Sequence, residues 1–356
     1  MSKFFKISVI IAITLLSSCG LRQQEQEAQS AEKKRGDFRI MFYNAENFFD
    51  VKHDTLKRDQ EFMPNGAKHW TYNKLKTKIN NIAKVITAVG EWEAPELVGL
   101  CEVENQYVLE QLVNYSPIKS VNYQIIHKES PDRRGIDVAL LYRKEKFRPI
   151  FFDAIEIKMP KPHTGTKTRD LLYVKGIVNE KDTIHVFVNH WPSRWGGQQK
   201  SEPKRMYLAS VVKKHTDSIF AINPNSKIII MGDFNDEPDN ISLKTTLNAK
   251  RELDNPIIDT SLYNLTAVLY KKTGQGTHKY QGRWGVLDQF IISGYLINNK
   301  NTSTNINDVH IFNADFLLEK DEKYTGTRPN RTYIGYKYHA GYSDHLPIYL
   351  DLNFNN

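Results

Sequence analysis

Residues 228–235 read Ile-Ile-Ile-Met-Gly-Asp-Phe-Asn. Four consecutive large apolar residues show no polar alternation, which is how a strand covered on both faces appears in sequence. The run stops at Gly232 and gives way to Asp233 and Asn235. If the chain stays extended through Phe234, these two polar side chains lie two residues apart and face one way. Comparable runs recur at Phe38–Tyr43, Leu97–Cys101, Val138–Tyr142, Leu172–Val178, His185–Asn189, Leu287–Ser293 and Leu346–Leu352. Between them, Lys74–Val89 repeats Leu75, Ile79, Ile82, Ala83 and Ile86 at three- and four-residue spacing, which predicts an amphipathic helix. Pro203–Phe220 suits a second helix. Buried strands interleaved with helices predict one α/β domain over residues 37–356.

Polar residues cluster where the other runs end, as Asp233 does. Asn44 and Glu46 follow the first, Glu102 the second, and His190 a later one in Asn189-His190-Trp191-Pro192. Leu287-Asp288-Gln289 and Ser343-Asp344-His345-Leu346 complete the series. Taken singly, each has an ordinary reading: Asn and Asp after a strand form turns, a strand-end Glu is solvated, and a lone His is structural. Their joint recurrence at strand ends is the pattern of a site held by a rigid scaffold.

The chain has 356 residues, a formal net charge of +8, 40% hydrophobic and 25% charged residues, a balance that excludes disordered and fibrous classes. Lys3 and Lys6 precede an almost wholly apolar stretch, Ile7–Leu16, which matches a secretory signal and is too short to span a bilayer. Leu16-Ser17-Ser18-Cys19-Gly20 then resembles a bacterial lipobox, which implies cleavage before Cys19 and lipidation of its thiol. Acyl chains there would anchor the protein to a membrane at the cell envelope, on the periplasmic or outer-surface side. Residues 1–18 are thus expected to be a signal peptide and 19–36 a tether too poor in apolar groups to fold. Loss of Lys3 and Lys6 takes the formal charge from +8 to +6, still a basic chain that concentrates polyanions such as nucleic acid. Cys101 is the only other cysteine, so no internal disulfide is expected beside a lipidated Cys19.

The six polar segments, in this order across the mature chain, resemble the endonuclease/exonuclease/phosphatase superfamily, whose members include pancreatic-type deoxyribonucleases. The resemblance implies a four-layer α/β sandwich, two mixed β-sheets packed face to face and flanked by helices, acting as a monomer. It implies hydrolysis of phosphate esters with Mg²⁺ or Mn²⁺, a hard cation for which carboxylate oxygens are the natural ligands. Residue by residue, Glu102 is the implied principal metal ligand, with Glu46 and Asp344 completing or supporting it. Asn44 orients a ligand or touches phosphate. Asp233 positions or deprotonates the attacking water, and Asn235 holds a phosphoryl oxygen. Asp288 orients His345, and His190 contacts the scissile phosphate, suited to proton exchange by an ordinary pKa of about 6.5. Asp137 is expected to orient His190. Arg194, in the glycine-containing loop after His190, is expected to clamp a second phosphate. Arg133, Arg134, Arg169, Lys200 and Arg205 are candidates for a basic rim, and Trp195 or Trp284 for stacking on a base.

The reading that follows is a nuclease acting on DNA, with RNA as a further substrate. A phosphatase or phosphodiesterase acting on lipid headgroups or small esters competes with it, and a surface lipoprotein capturing nucleic acid without cutting it stands in another class. Gly232-Asp233-Phe234-Asn235 lacks the basic Tyr-Arg pair of inositol-phosphatases, and Asn44-Ala45-Glu46-Asn47 differs from the abasic-endonuclease form.

Overall fold

The continuous apolar run at 228–231 is explained by what covers it. In the computed structural model, which describes residues 35–355, Ile229 and Met231 join a core that includes both sheets. Ile228 and Ile230 point the other way, against Leu208 and Val212 of a long helix. A strand buried on both faces has no polar side to display. The expected signal segment and Cys19, with nearly all of the expected tether, lie outside the described residues. Among the described residues no helix is long and apolar enough to cross a membrane.

In chain order the strands are β1 (Phe38–Phe48), β2 (Leu97–Val103), β3 (Gln124–His127), β4 (Asp137–Tyr142), β5 (Phe147–Ile155), β6 (Leu171–Val178), β7 (Asp182–His190), β8 (Lys227–Asp233), β9 (Ala249–Lys250), β10 (Leu262–Asn264), β11 (Asp288–Ser293), β12 (Thr302–Ser303), β13 (Val309–Ile311) and β14 (Ile348–Phe354). The first sheet runs β12-β14-β1-β2-β4-β3, with β13 also paired to β14; the second runs β5-β6-β7-β8-β11-β10-β9. Both are mixed: β1 with β2 and β7 with β8 are parallel, whereas most other neighbours are antiparallel. Three two-stranded ribbons, among them His278–Tyr280 with Arg283–Gly285, complete the pairing.

The sheets pack face to face. Gly99 of β2 lies opposite Met231 of β8 so closely that a Cβ on Gly99 would come within 2.6 Å of the Met231 Cε. Helices α1 (Tyr72–Gly90) and α2 (Gln106–Tyr115) add their apolar stripes to the core of the first sheet. Helix α3 (Gln198–Ile222) covers the outer face of the second. The α1 prediction is off by two residues at the start and one at the end, but α3 begins five residues before Pro203. Gly197, at φ +105°, ends the preceding loop, and α3 carries Pro203 inside it, which removes one backbone N–H donor from the helix.

Register brings the polar strand ends together. His190 of β7 is the partner of Asp233 of β8, and Asp233 is in turn the partner of Asp288 of β11. Gly232 permits this closeness, because a Cβ there would sit 2.4 Å from the Asn189 carbonyl oxygen. In the first sheet Asn44 pairs with Cys101, and β14 pairs Ile348 with Phe42, so Asp344 and His345 arrive at the same end.

Candidate active site

At the end of the second sheet His190, Asp233 and Asp288 are buried, and so is His345, which precedes β14 of the first sheet. His345 Nδ1 lies 2.7 Å from Asp288 Oδ2. Asp233 Oδ2 stands 3.7 Å from His190 Nε2 and 3.9 Å from His345 Nε2, and accepts from Asn44 Nδ2 at 3.1 Å. Asn44 thereby ties the first sheet to the second, while its Oδ1 accepts from the Glu46 N–H at 2.9 Å.

Burial and charge displace these groups in different directions. Burial, with Asp288 and Glu102 nearby, lifts the Asp233 carboxyl to about 7 against the pull of His345. Burial alone would lower His345, but the carboxylates of Asp288 and Asp233 outweigh it and hold the ring well above its ordinary value. His190 is driven well below its ordinary value by burial and by Arg169 and Arg134. The expectation that His190 exchanges a full proton near neutrality is therefore corrected: its ring stays neutral there and acts as a hydrogen-bonding group.

The first sheet contributes oxygen atoms. Glu46 and Glu102 sit at two irregularities of register, between Asn44 and Phe48 in the β1–β2 pair and between Cys101 and Val103 in the β2–β4 pair. Both residues, with Asn47, have positive φ (46°, 59° and 54°). Such strained positions re-aim side chains at a strand's end. Glu102 Oε2 accepts from the Asn47 N–H at 2.8 Å; Oε1 accepts no hydrogen bond and stands 3.9 Å from His190 Nε2. Asp344 Oδ2 accepts from Arg331 at 2.8 Å and Oδ1 is free of hydrogen bonds. Burial would raise Asp344, yet Arg331, His345 and His278 hold it well below the usual carboxylate range. Glu46 differs: Oε1 accepts from Arg331 at 3.1 Å and Oε2 from the Thr332 N–H at 2.7 Å. With both oxygens in use, Glu46 supports the cluster while Glu102 and Asp344 retain oxygens that fit a hard cation.

Several predicted residues are placed otherwise. β8 ends at Asp233, and Asn235 has φ +50°, so the extended geometry assumed for 233–235 does not hold. The segment is instead a side-chain-closed turn, in which Asn235 N–H donates to Asp233 Oδ1 at 2.8 Å and Asn235 Nδ2 to the Trp191 carbonyl at 3.0 Å. Arg194 is not a free clamp: it donates to the Asn235 carbonyl and to Asn240 Oδ1, both at 2.9 Å, and pairs with Asp236 at 3.4 Å. Asp137 engages His127 Nε2 at 3.1 Å and the Ser130 N–H at 2.9 Å, and His190 Nδ1 has no hydrogen-bond partner. Arg169 and Arg205 are buried rather than on a rim. Arg169 donates to the carbonyls of His190 and Trp191, and Arg205 pairs with Asp236 at 2.7 Å. Trp195 is 89% exposed, whereas Trp284 packs partly against the core.

The sequence matches the model of the Endonuclease/Exonuclease/phosphatase family over residues 39–354, which is nearly the whole described chain. The chain belongs to that family. This family of phosphoesterases accounts for the two-sheet fold and for polar groups converging at the sheet ends. Among solved structures, the chain is similar to an endonuclease/exonuclease/phosphatase family protein from Bacteroides thetaiotaomicron, with 14% identity and a TM-score of 0.55 over 89% of this chain and 95% of that one. ANGEL2, described as a 2',3'-cyclic phosphatase, gives 15% identity and a TM-score of 0.56 over 89% and 95%. D. rerio TDP2 complexed with a single-strand DNA product gives 15% and 0.53 over 89% and 98%. No curated protein matches the chain. At these identities the structures establish the fold shared with this family member, and no more.

Three site residues escaped the sequence reading. Arg331 lies between Glu46 and Asp344, and nothing in Arg328-Pro329-Asn330-Arg331-Thr332 signals it. Lys78 is fully buried under the same cluster, donating to Thr332 Oγ1 and the Tyr342 carbonyl at 2.6 Å each. Burial lowers it to about 8 despite Glu46 and Asp344. A lysine on the apolar stripe between Leu75 and Ile79 was the available signal. His278 packs its ring against His345, with centroids 4.7 Å apart.

Proposed function

We propose that the chain is a divalent-metal-dependent phosphodiester hydrolase at the cell envelope, held by a lipid on Cys19 and cutting DNA, with RNA as a further substrate. The observation that carries the reading is Asp233: a buried carboxyl with proton affinity raised to about 7, flanked by two imidazoles of opposite charge preference. A carboxylate of that basicity takes a proton from water near neutrality, as a general base requires. His345, kept cationic by Asp288, faces the same oxygen and stabilises charge on a phosphoryl group. His190, neutral, offers a hydrogen bond to the same group, and Asn44 fixes Asp233 from the opposite sheet. Glu102 and Asp344 would hold Mg²⁺ or Mn²⁺, which supplies charge neutralisation for the phosphate and leaving oxygen.

Nucleic acid as the substrate is supported by the basic chain and by Trp195, exposed on the loop that follows His190 and able to stack on an unpaired base. The fold likeness to TDP2 with a DNA product agrees with it. The test is a substrate panel with the chain beginning at Gly36: supercoiled DNA, single-stranded RNA, sphingomyelin and small phosphomonoesters at matched Mg²⁺. Nicking of DNA at the highest rate is expected, and preference for a lipid or monoester would overturn the nuclease assignment. For the anchor, Cys19→Ser is expected to move the protein from the membrane fraction to the soluble one; continued detergent-dependent extraction would contradict it.

A further inference from the structure

His278 is used by none of the steps above, yet it is built into the site. Its backbone bridges His345, the Leu346 N–H donates to the Thr277 carbonyl at 2.7 Å, and the N–H groups of Leu287 and Asp288 both donate to Thr277 Oγ1 at 3.1 Å. The ribbon carrying His278 is thus locked to both members of the Asp288–His345 pair. Ligand atoms of His278, Asp344 and His345 lie within 4.8 Å of one another. We propose that these three residues form a second cation site, selective for a transition-metal ion such as Zn²⁺ over the hard cation of the hydrolytic site.

Donor chemistry argues for that selectivity. Two imidazoles and one carboxylate are the set that zinc takes with an open fourth position, whereas Mg²⁺ prefers oxygen ligands and retains water. The surroundings are already those of a metal-binding histidine. His345 gives Nδ1 to the Asp288 carboxylate at 2.7 Å, the outer partner that fixes a ligating ring and leaves Nε2 for the ion. Asp344 Oδ1 accepts no hydrogen bond beside Arg331, so this oxygen, also offered to the hydrolytic cation, has a lone pair for a second ion. Side-chain rotation need bring the donors only from within 4.8 Å to the roughly 3.3 Å separation of ligands on a tetrahedral zinc ion.

Of the two other groups among the described residues, Asp233 with Asp288 and His345 offers a single imidazole, and Cys101 with His190 and Asp233 is a poorer host. Cys101 and the two residues grouped with it are all buried, which leaves an ion no path in from solvent. His278 and Asp344 are partly open to solvent and give an ion a way in.

Resting on the hydrolase reading, one consequence is inhibition. An ion on His345 Nε2 occupies the nitrogen that faces Asp233 at 3.9 Å, so filling the site blocks cleavage while Mg²⁺ is still present.

The test is calorimetric titration of the full chain in detergent with Zn²⁺ alone and then in excess Mg²⁺, with Co²⁺ absorption as a spectroscopic check. One equivalent of Zn²⁺ is expected to bind in both conditions. His278→Gln and His278→Ala, each checked for folding by circular dichroism, are expected to weaken it by at least about 10-fold. Cys101→Ser is expected to leave it unchanged. The proposal is overturned if zinc does not bind, if excess Mg²⁺ displaces it, if both folded His278 variants bind it as the parent does, or if Cys101→Ser abolishes it. The titration uses no ester substrate, so failure of the hydrolase reading appears separately, in the substrate panel.

Discussion

The two sheets bring opposite kinds of chemistry to their shared end. The first supplies carboxylates whose charge is balanced by cations: Glu46 and Asp344 against Arg331, with Lys78 beneath them. The second, joined by His345 from the segment that leads into β14 of the first, supplies groups whose proton affinities have been pushed apart: Asp233 up to about 7, His345 well above its ordinary value, His190 well below. The same burial acts on both sides. What differs is the neighbour: on one side Arg331 holds Asp344 well below the usual carboxylate range, although burial and Asp344 leave Glu46 above it, while carboxylates and imidazoles contend for protons on the other. The difference assigns cation holding to the first sheet's carboxylates and proton handling to the second sheet together with His345.

The sharpest way to break that division is Asp233→Asn, which keeps the shape and removes the base. Turnover is expected to fall about 10²- to 10⁴-fold with the fold unchanged. A variant that retains the parent rate in a nicking assay would remove Asp233 from proton transfer. In the parent, the rate is expected to decline as pH drops through about 7, because the Asp233 carboxyl takes up its proton there.

Asp288→Asn is the next largest. Loss of the orienting carboxylate is expected to cost about 10- to 100-fold. His345 then loses the strongest influence raising its proton affinity, so its pKa falls and the imidazolium disappears at lower pH. The rate loss should accordingly be greater at pH 8 than at pH 6, and a pH profile parallel to the parent's would contradict the role of the pair.

How much of this division is legible in the sequence depends on what each part requires. The strand runs show because a doubly covered strand has no polar face, and Ile228–Met231 is the clearest example. His190, Asp233, Asp288 and His345 stand out because each interrupts such a run where a strand ends. The bulges that turn Glu46 and Glu102 into the site do not show, since positive φ at a non-glycine residue is imposed by the surrounding structure. Neither does the commitment of Arg194 to the loop at 235–240, because a free arginine and a structural one look alike until their partners are placed. Arg331 and Lys78 reach the site from a loop and a helix with no motif of their own. The cation half was therefore harder to read than the proton half.

Smaller effects are expected on the first sheet's side. Arg331→Ala removes a competing positive charge from Glu46 and Asp344, and the Mg²⁺ concentration for half-maximal activity is expected to fall about 3- to 10-fold. A rise in that concentration would mean that Arg331 builds the metal site. Lys78→Met removes two hydrogen bonds and should cost about 1–3 kcal/mol in denaturant unfolding. Because the folded-state pKa of Lys78 is lowered to about 8 from 10.5, the unfolded chain binds the extra proton between those values. Parental stability relative to the variant is expected to rise from pH 8 to 10.5, and a pH-independent difference would show that Lys78 is not the buried, depressed group.

The central claim is tested most directly by Mg²⁺ titration of plasmid nicking in Glu102→Gln and Asp233→Asn side by side. A weakened cation ligand is compensated by more cation, whereas a missing base is not. Glu102→Gln is predicted to regain most of the parental rate as Mg²⁺ rises, while Asp233→Asn stays low at every concentration. Equal recovery of both, or of neither, would contradict the division of labour between the two sheets.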